Sequence, residues 1–346
     1  MKTALVTGAT GLLGREVVKA FEGAGYEAVG TGLTRCNPPS TVKLDLLDTD
    51  DVVRVLDEVK PDVVVHCAAN RSPDSCAADP DTAHALNVTA SGNLASTTSS
   101  RGIFLIYIST DYVFPGRPGE APYTNVSTPD PSNVYGQTKL EGEKAILGVS
   151  SRAASRDESG KNQGLRIPSI VLRVPILYGP CEPSESAVNV LMSQVWASQE
   201  IKPSDPKIKI DDYAQRFPTN TEDVARVCLD ICKLYLNPPT GKELPTILQF
   251  SSEDKMTKWQ ICEAFGEILG LPLEGLEPYK PKEEQQDDIK RPYDCHLDTT
   301  ALKKLGIDVS TVGFTNWWYV FNVARLARTS RILTMPRRRE VRAFKH

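Results

Sequence analysis

The segment NVYGQTKLEGEK, Asn133 to Lys144, sets Tyr135 four residues before Lys139. On a helix that spacing stacks both side chains on one face. A phenol beside an ammonium is a proton donor with a lowered pKa, which suits reduction of a carbonyl. Upstream, the apolar run IFLIYIST ends at Ser109 and Thr110. The carboxyl edge of a strand is where open α/β sheets bind ligands.

A carbonyl reductase also needs a hydride source. TGATGLLG places Gly8, Gly11 and Gly14 between the first predicted strand and the first predicted helix, with Thr10 and Leu12 in the same turn. The first glycine permits a tight turn. The second lets a pyrophosphate approach the backbone at the helix N-terminus, and the third allows close helix–strand packing. An acidic residue at the end of the second strand would select NAD by binding the ribose 2′-hydroxyl. GTGLTRCNP has Thr34 and Arg35 there. A guanidinium matches a 2′-phosphate, so NADP(H) is the expected cofactor.

These residues require a scaffold of alternating strands and helices, and the pattern supplies one. TALVTG, EAVGTGL, DVVVHCAA, IFLIYIST and SIVLRVPILYG read as strands, and the continuous β-branched runs suit strands buried on both faces. GREVVKAFEGAGY, DTDDVVRVLDEVKP, a long helix over DPDTAHALNVTASGNLASTTSSRG, and TKLEGEKAIL alternate with them. Asp48 or Thr49 is the candidate cap of the second helix. The expected fold is α/β: a Rossmann-type doubly wound parallel sheet with a smaller C-terminal α/β substrate lobe. The Rossmann domain is expected over 1–177, with 216–250 returning to it. The lobe is expected over 178–215 and 251–318, containing the amphipathic runs ESAVNVLMSQVWASQ and TKWQICEAFGEILG. The polar, aperiodic stretch GVSSRAASRDESGKNQG reads as a mobile surface insertion, expected over 149–165.

Bulk properties narrow the function class. The chain has 346 residues, 40% hydrophobic and 24% charged, with a net charge of -4. That is an ordinary globular composition with no general attraction to nucleic acid. No apolar run approaches membrane-spanning length, and MKTALVTGATG has no signal-peptide core, so a cytoplasmic protein is expected. Eight cysteines are scattered, several in apolar runs, as buried thiols are. Cys228 and Cys232, or Cys295 with His296, fit no zinc spacing, and no metal is expected. His66 ends a buried strand and reads as a packed histidine, and the four tryptophans read as core or interface.

The GxxGxxG spacing, the strand-end Thr110 and the Tyr135–Lys139 pair resemble the short-chain dehydrogenase/reductase superfamily. Within it, ISTDYVFPG, APYTN, PSNVYGQTKLEGEK and RFPTNTEDVA resemble the dTDP-4-dehydrorhamnose reductase family. VVVHCAANRSPD, LNVTASGNLA, VLRVPILYGP, ESAVNVL and MTKWQICEAF are similar to the branch of regulatory β subunits of methionine adenosyltransferase. The resemblance implies that Thr110 bonds a substrate carbonyl, Tyr135 donates the proton, and Lys139 binds the nicotinamide ribose. It implies further cofactor contacts at Asp45, Ala68, Ala69 and Pro175. Asn87 either lines the cleft or serves helix packing. Arg216 and Phe217 are expected along the substrate cleft.

The branch resemblance implies association with a catalytic methionine adenosyltransferase subunit and modulation of S-adenosylmethionine synthesis, with or without a small ligand in the cleft. The alternative is an active NADPH-dependent reductase of the dTDP-4-dehydrorhamnose type. A UDP-sugar epimerase is a more distant third. Ile176 stands where the sugar reductases carry a Trp, and Pro115 where they commonly carry an acid. Losing an aromatic platform removes a stacking surface for sugar or base. Both departures weaken the reductase alternative.

The end of the chain departs from the family. YVFNVARLARTSRILTMPR, Tyr319 to Arg337, matches nothing in it, while RREVRAFKH over 338–346 would follow Trp318 naturally. The segment reads as a translated intron: Trp-Tyr-Val can encode a splice donor, Ile-Leu-Thr a branch sequence, and the final Arg an acceptor. A real amphipathic tail that docks on a partner is the alternative. The basic run PRRREVRAFKH reads as a solvated end rather than a nucleic-acid or membrane element.

Overall fold

The first apolar run forms β1 (Thr3–Thr7), four of whose five residues are buried. α1 (Leu12–Gly23) follows the glycine turn and lays Leu13, Val17 and Phe21 on the sheet at helical spacing. β2 (Glu27–Gly32) and the short β3 (Thr41–Lys43) come next. α2 (Thr49–Val59) is capped by Asp48, whose carboxylate accepts from the N–H groups of Asp50 and Asp51. β4 (Val63–His66), α3 (Pro73–Ala78), α4 (Pro80–His84), α5 (Ser91–Ser100) and β5 (Phe104–Thr110) continue the alternation. α6 (Val134–Asp157) leads to β6 (Ser169–Val174). The structure is a computed structural model describing residues 1–37, 41–157, 168–241, 243–280 and 290–321, with the backbone alone over 152–157.

Beyond β6 come β7 (Leu177–Tyr178), α7 (Asn189–Ala197), β8 (Ile208–Asp211), β9 (Thr219–Asn220) and α8 (Thr221–Leu236). They are followed by β10 (Ile247–Gln249), α9 (Lys258–Leu269), β11 (Leu276–Tyr279) and α10 (Thr300–Lys304). Seven strands form one parallel sheet in the order β10-β6-β5-β4-β1-β2-β3. The strand period of two splits its side chains between layers. Ala4 and Val6 join α1 and α8 on one face, while Leu5 joins α2, α5 and α6 on the other. A third apolar cluster joins Val188, Leu191 and Val195 of α7 to Ile261 and Phe265 of α9 and to Phe314 and Trp318. α9 starts with a capping box of Thr257 and Gln260 and ends at Gly270 in the left-handed conformation.

Three local expectations change. The long helix over residues 80–102 contains a π-helical turn, Ala85–Ala90, between α4 and α5. The strand expected through SIVLRVPILYG breaks at Pro175, which has no N–H to donate, and Leu177 pairs instead with Thr219 of β9. The insertion expected from residue 149 does not begin there, because α6 runs on to Asp157. Ser150 fastens that extension by bonding the Ser169 hydroxyl at the start of β6. Residues 158–167 of the expected insertion lie outside the described residues.

Residues 314–321 are helical, so the atypical tail begins as a continuation of that helix. Phe321 stacks on Trp317 with ring centres 4.7 Å apart. Residues 322–346 lie outside the described residues. No described helix is long and apolar enough to cross a membrane.

Candidate active site

The glycine turn is shaped by close backbone approach. Gly8 has φ of 66°, and a Cβ there would meet the Ala68 backbone nitrogen at 2.8 Å. A Cβ on Gly14 would lie 2.3 Å from the Gly8 carbonyl oxygen. Gly11 caps α1 without a side chain, and its N–H bonds the Gly8 carbonyl at 2.9 Å. The first-turn N–H groups of a helix have no partner within it, and with the helix dipole they favour an anion.

This turn forms one wall of a cavity of about 600 Å³ along the carboxyl edge of the sheet. Thr10, Gly11, Leu12, Gly14, Arg35, Asp45, Ala68 and Ala69 line one part of it, and Thr110, Tyr135, Lys139 and Pro175 line another. The fold thus gathers residues from the ends of six strands, β1 to β6, into one cleft. Ile176 and Arg216 are also on its wall. Asp45 turns its carboxylate onto its own loop, accepting from the Leu47 N–H at 2.9 Å. Thr34 is exposed and outside the lining, while Thr31, Gly32, Leu33 and Arg35 line the cavity at the second strand end.

Asn133 directly precedes α6 and accepts the Gly136 N–H at 2.9 Å, fixing where the helix begins. Tyr135 and Lys139 therefore fall on its first turns, under the end of β5. A Cβ on Gly136 would lie 2.2 Å from the Tyr112 carbonyl oxygen, so glycine permits this approach of helix to loop. Thr110 donates to Asp111 at 3.0 Å and accepts the Tyr112 N–H at 3.2 Å. Lys139 is buried, donates to the Ile108 carbonyl at 2.8 Å and lies 3.9 Å from the centre of the Tyr107 ring.

Burial reverses the expected direction of the Tyr135 titration. The phenol is raised above its ordinary value by desolvation, with a hydrogen bond to Thr110 opposing it. Lys139 is itself pushed down to about 7 by burial, against the attraction of Glu143. The pair shares the helix face that the sequence spacing requires, but burial decides its protonation. Asp111 is raised to about 6 by burial, with Arg216 opposing. Arg216 donates to the Pro292 carbonyl at 3.2 Å, while its Nη2 is buried with no hydrogen-bond partner. Sequence reasoning did not single out Asp111, whose raised carboxyl depends on burial.

Some expected residues stand behind the wall. Asn87 is buried and outside the lining. Its amide accepts the Asn70 N–H at 2.8 Å and donates to the Asn70 carbonyl at 2.9 Å and to Thr138 at 3.1 Å. Of its two expected uses, this geometry is packing: it ties the loop after β4 to α6. Phe217 stacks on His296, with ring centres 4.0 Å apart, and is likewise outside the lining. His66 bonds Thr7 at 2.7 Å and Ser91 at 3.0 Å, and burial pushes it down to about 3. It is a neutral packed histidine. Among the described residues no cluster of three His, Cys, Asp or Glu side chains is arranged to hold a metal ion.

The family model for the RmlD substrate binding domain matches residues 1–312. The chain belongs to the RmlD substrate-binding family. Within this family it is 40% identical over 311 residues to methionine adenosyltransferase 2 subunit beta of Xenopus tropicalis, covering 90% of this chain and 84% of that one. The protein of the same name from Danio rerio is 40% identical over 313 residues, covering 90% and 87%. The RmlD-type architecture is equally plain in solved structures. A dTDP-4-dehydrorhamnose reductase of Bacillus anthracis in complex with NADP superposes with a TM-score of 0.73 at 20% identity, covering 94% of this chain and all of that one. A UDP-glucose 4-epimerase of Thermotoga maritima with UDP-glucose superposes with a TM-score of 0.74 at 20% identity, covering 95% and 99%. At such identities the two structures share the fold.

Proposed function

We propose that this chain is an NADP(H)-binding, reductase-like regulatory subunit of methionine adenosyltransferase that modulates S-adenosylmethionine synthesis. The observation that carries it is the identity of about 40% over nine-tenths of the chain with proteins named as the beta subunit of that enzyme. The partner is the catalytic methionine adenosyltransferase subunit, and the compartment is the cytoplasm. The experiment is co-purification of the full chain with the catalytic synthetase of the same cell, with and without NADP(H).

The residues present fit a dinucleotide. Gly8 and Gly14 stand where a side chain would clash with backbone, at the helix terminus suited to a pyrophosphate. Arg35 lines the cavity just past the second strand, in a segment, Leu33–Cys36, that holds no acidic residue, which favours a 2′-phosphate. A bound nicotinamide would supply hydride chemistry. Around it Lys139 would meet the ribose, and Tyr135 and Thr110 would hold a carbonyl oxygen and its proton.

Retention of Thr110, Tyr135 and Lys139 on one cavity wall supports a second reading, an NADPH-dependent reductase of the dTDP-4-dehydrorhamnose type. Ile176 on that wall, in place of an aromatic platform, counts against a sugar nucleotide. The division into a cofactor domain and a smaller lobe is supported by the separate apolar cluster around α7 and α9.

A further inference from the structure

Two guanidinium groups from distant parts of the cofactor domain converge on one carboxylate. Arg15 lies in α1 just past the glycine turn, and Arg35 follows β2. Both bond Glu185: Arg15 Nη2 donates to Oε2 at 2.7 Å, and Arg35 Nη1 donates to Oε1. Arg15 also donates through Nη1 to the Thr10 carbonyl at 2.8 Å, which fixes it beside the turn. The Glu185 side chain is 15% exposed, although its partners are 31% and 60% exposed. Its carboxyl is held down to about 2, first by the hydrogen bond from Arg15.

Glu185 does not belong to the cofactor domain's sheet or helices. It ends the turn Pro183–Glu185, just before Ser186. Ser186 donates to the Leu177 carbonyl at 2.8 Å and accepts the N–H groups of Val188 and Asn189, each at 3.1 Å. The carboxylate is therefore tied through Ser186 to the start of α7, whose Leu191 and Val195 pack in the smaller apolar cluster. Arg35 and Ser186 both line the cavity. An anion entering at Arg35 meets a guanidinium already holding a carboxylate.

We propose that Glu185 is a specificity-determining latch: its carboxylate holds the Arg15–Arg35 pair against the 2′-phosphate of NADP(H). Phosphate binding must then displace Glu185 and loosen its tie to α7. NAD(H), which carries no phosphate at that position, has no such competition to overcome. This rests on the dinucleotide reading given above. It makes the preference for the phosphorylated cofactor a balance between Arg35, which favours it, and Glu185, which opposes it.

The test is calorimetric titration of NADP(H) and NAD(H) into the full chain, its Glu185→Gln variant, and the neighbouring-carboxylate control Glu182→Gln. Glu185→Ala serves as the second variant, and thermal unfolding checks that each is folded. Glu185→Gln and Glu185→Ala should raise the preference for NADP(H) over NAD(H) by about tenfold or more, the worth of one charge-assisted hydrogen bond. Glu182→Gln should leave the preference unchanged. Fluorescence of Trp196 on α7, 53% exposed, should respond to NADP(H) in the wild type and not to NAD(H). Binding of both dinucleotides with an unmoved or lowered preference in folded Glu185 variants overturns the latch alone. Failure of the wild-type chain to bind either dinucleotide overturns the cofactor reading and the latch with it.

Discussion

Lys139 points its ammonium at the backbone carbonyl of Ile108, 2.8 Å away, from a fully buried position beneath the sheet edge. Its folded pKa of about 7 lies far below the 10.5 of an ordinary lysine. Between those values the unfolded chain binds the proton and the folded chain does not. Stability from this group therefore rises with pH through that window, and below about 7 the full cost of burying the charge is present. Lys139→Met removes the titration. Urea unfolding at pH 7 and pH 9.5 should show the wild type gaining on the variant at the higher pH. A constant difference between the two proteins would contradict the buried lysine's shift.

Arg173 and Glu143 form a bidentate pair with both side chains 2% exposed, at 2.9 and 2.6 Å. Ser109 also bonds Glu143, at 2.5 Å, so the pair lies directly behind the strand end that carries Thr110. Arg173→Met alone leaves a buried carboxylate without its partner and should cost about 3–5 kcal/mol. Adding Glu143→Gln should recover much of that loss. Denaturant unfolding of the two single variants and the double variant measures it. Additive losses in the double variant would mean that the two charges are not coupled.

Glycine positions in α1 separate sterics from propensity. Gly14→Ala drives a Cβ into the Gly8 carbonyl and should destabilise by about 1–3 kcal/mol, with loss of dinucleotide binding. Gly23→Ala, where nothing lies within 4 Å of the added carbon, should stabilise the helix by up to about 1 kcal/mol. Thermal unfolding should give shifts of opposite sign. Shifts of the same sign would remove the close-packing account of the turn.

What was legible in the sequence was local or periodic. The glycine turn, the strand runs and the Tyr135–Lys139 spacing each lie within a few residues, and one cleft brings them together. The break at Pro175 was also written locally, but the apolar run on either side of it masked the signal. What could not be read depended on contacts across the fold. Burial, which no spacing reveals, reversed the expected direction of Tyr135. The convergence of Arg15 and Arg35 on Glu185 joins residues 170 and 150 positions apart. Arg15 left a trace, a basic residue just past the glycine turn. Glu185 left none, because its turn has no periodicity. Asn87 had two uses in sequence, and only the neighbouring Asn70 and Thr138 chose between them.

The tail gives a prediction at the peptide level. If Tyr319 to Arg337 is a translated intron, removing it rejoins Trp318 to Arg338 in frame. Mass spectrometry of the native protein should then find a junction peptide containing Trp317-Trp318-Arg338. A peptide from within 319–337 at the abundance of core peptides would remove the intron reading.

The central claim is that this chain works through a catalytic partner rather than through turnover in its own cleft. The most direct measurement is co-purification of wild-type and Tyr135→Phe proteins with the catalytic methionine adenosyltransferase, alongside an assay of dTDP-4-dehydrorhamnose reduction. A cleft hydroxyl matters for hydride chemistry and not for a docking surface, so both proteins should bind the synthetase equally and alter its rate. Absence of association, together with reduction above about one turnover per second that Tyr135→Phe abolishes, would contradict the account.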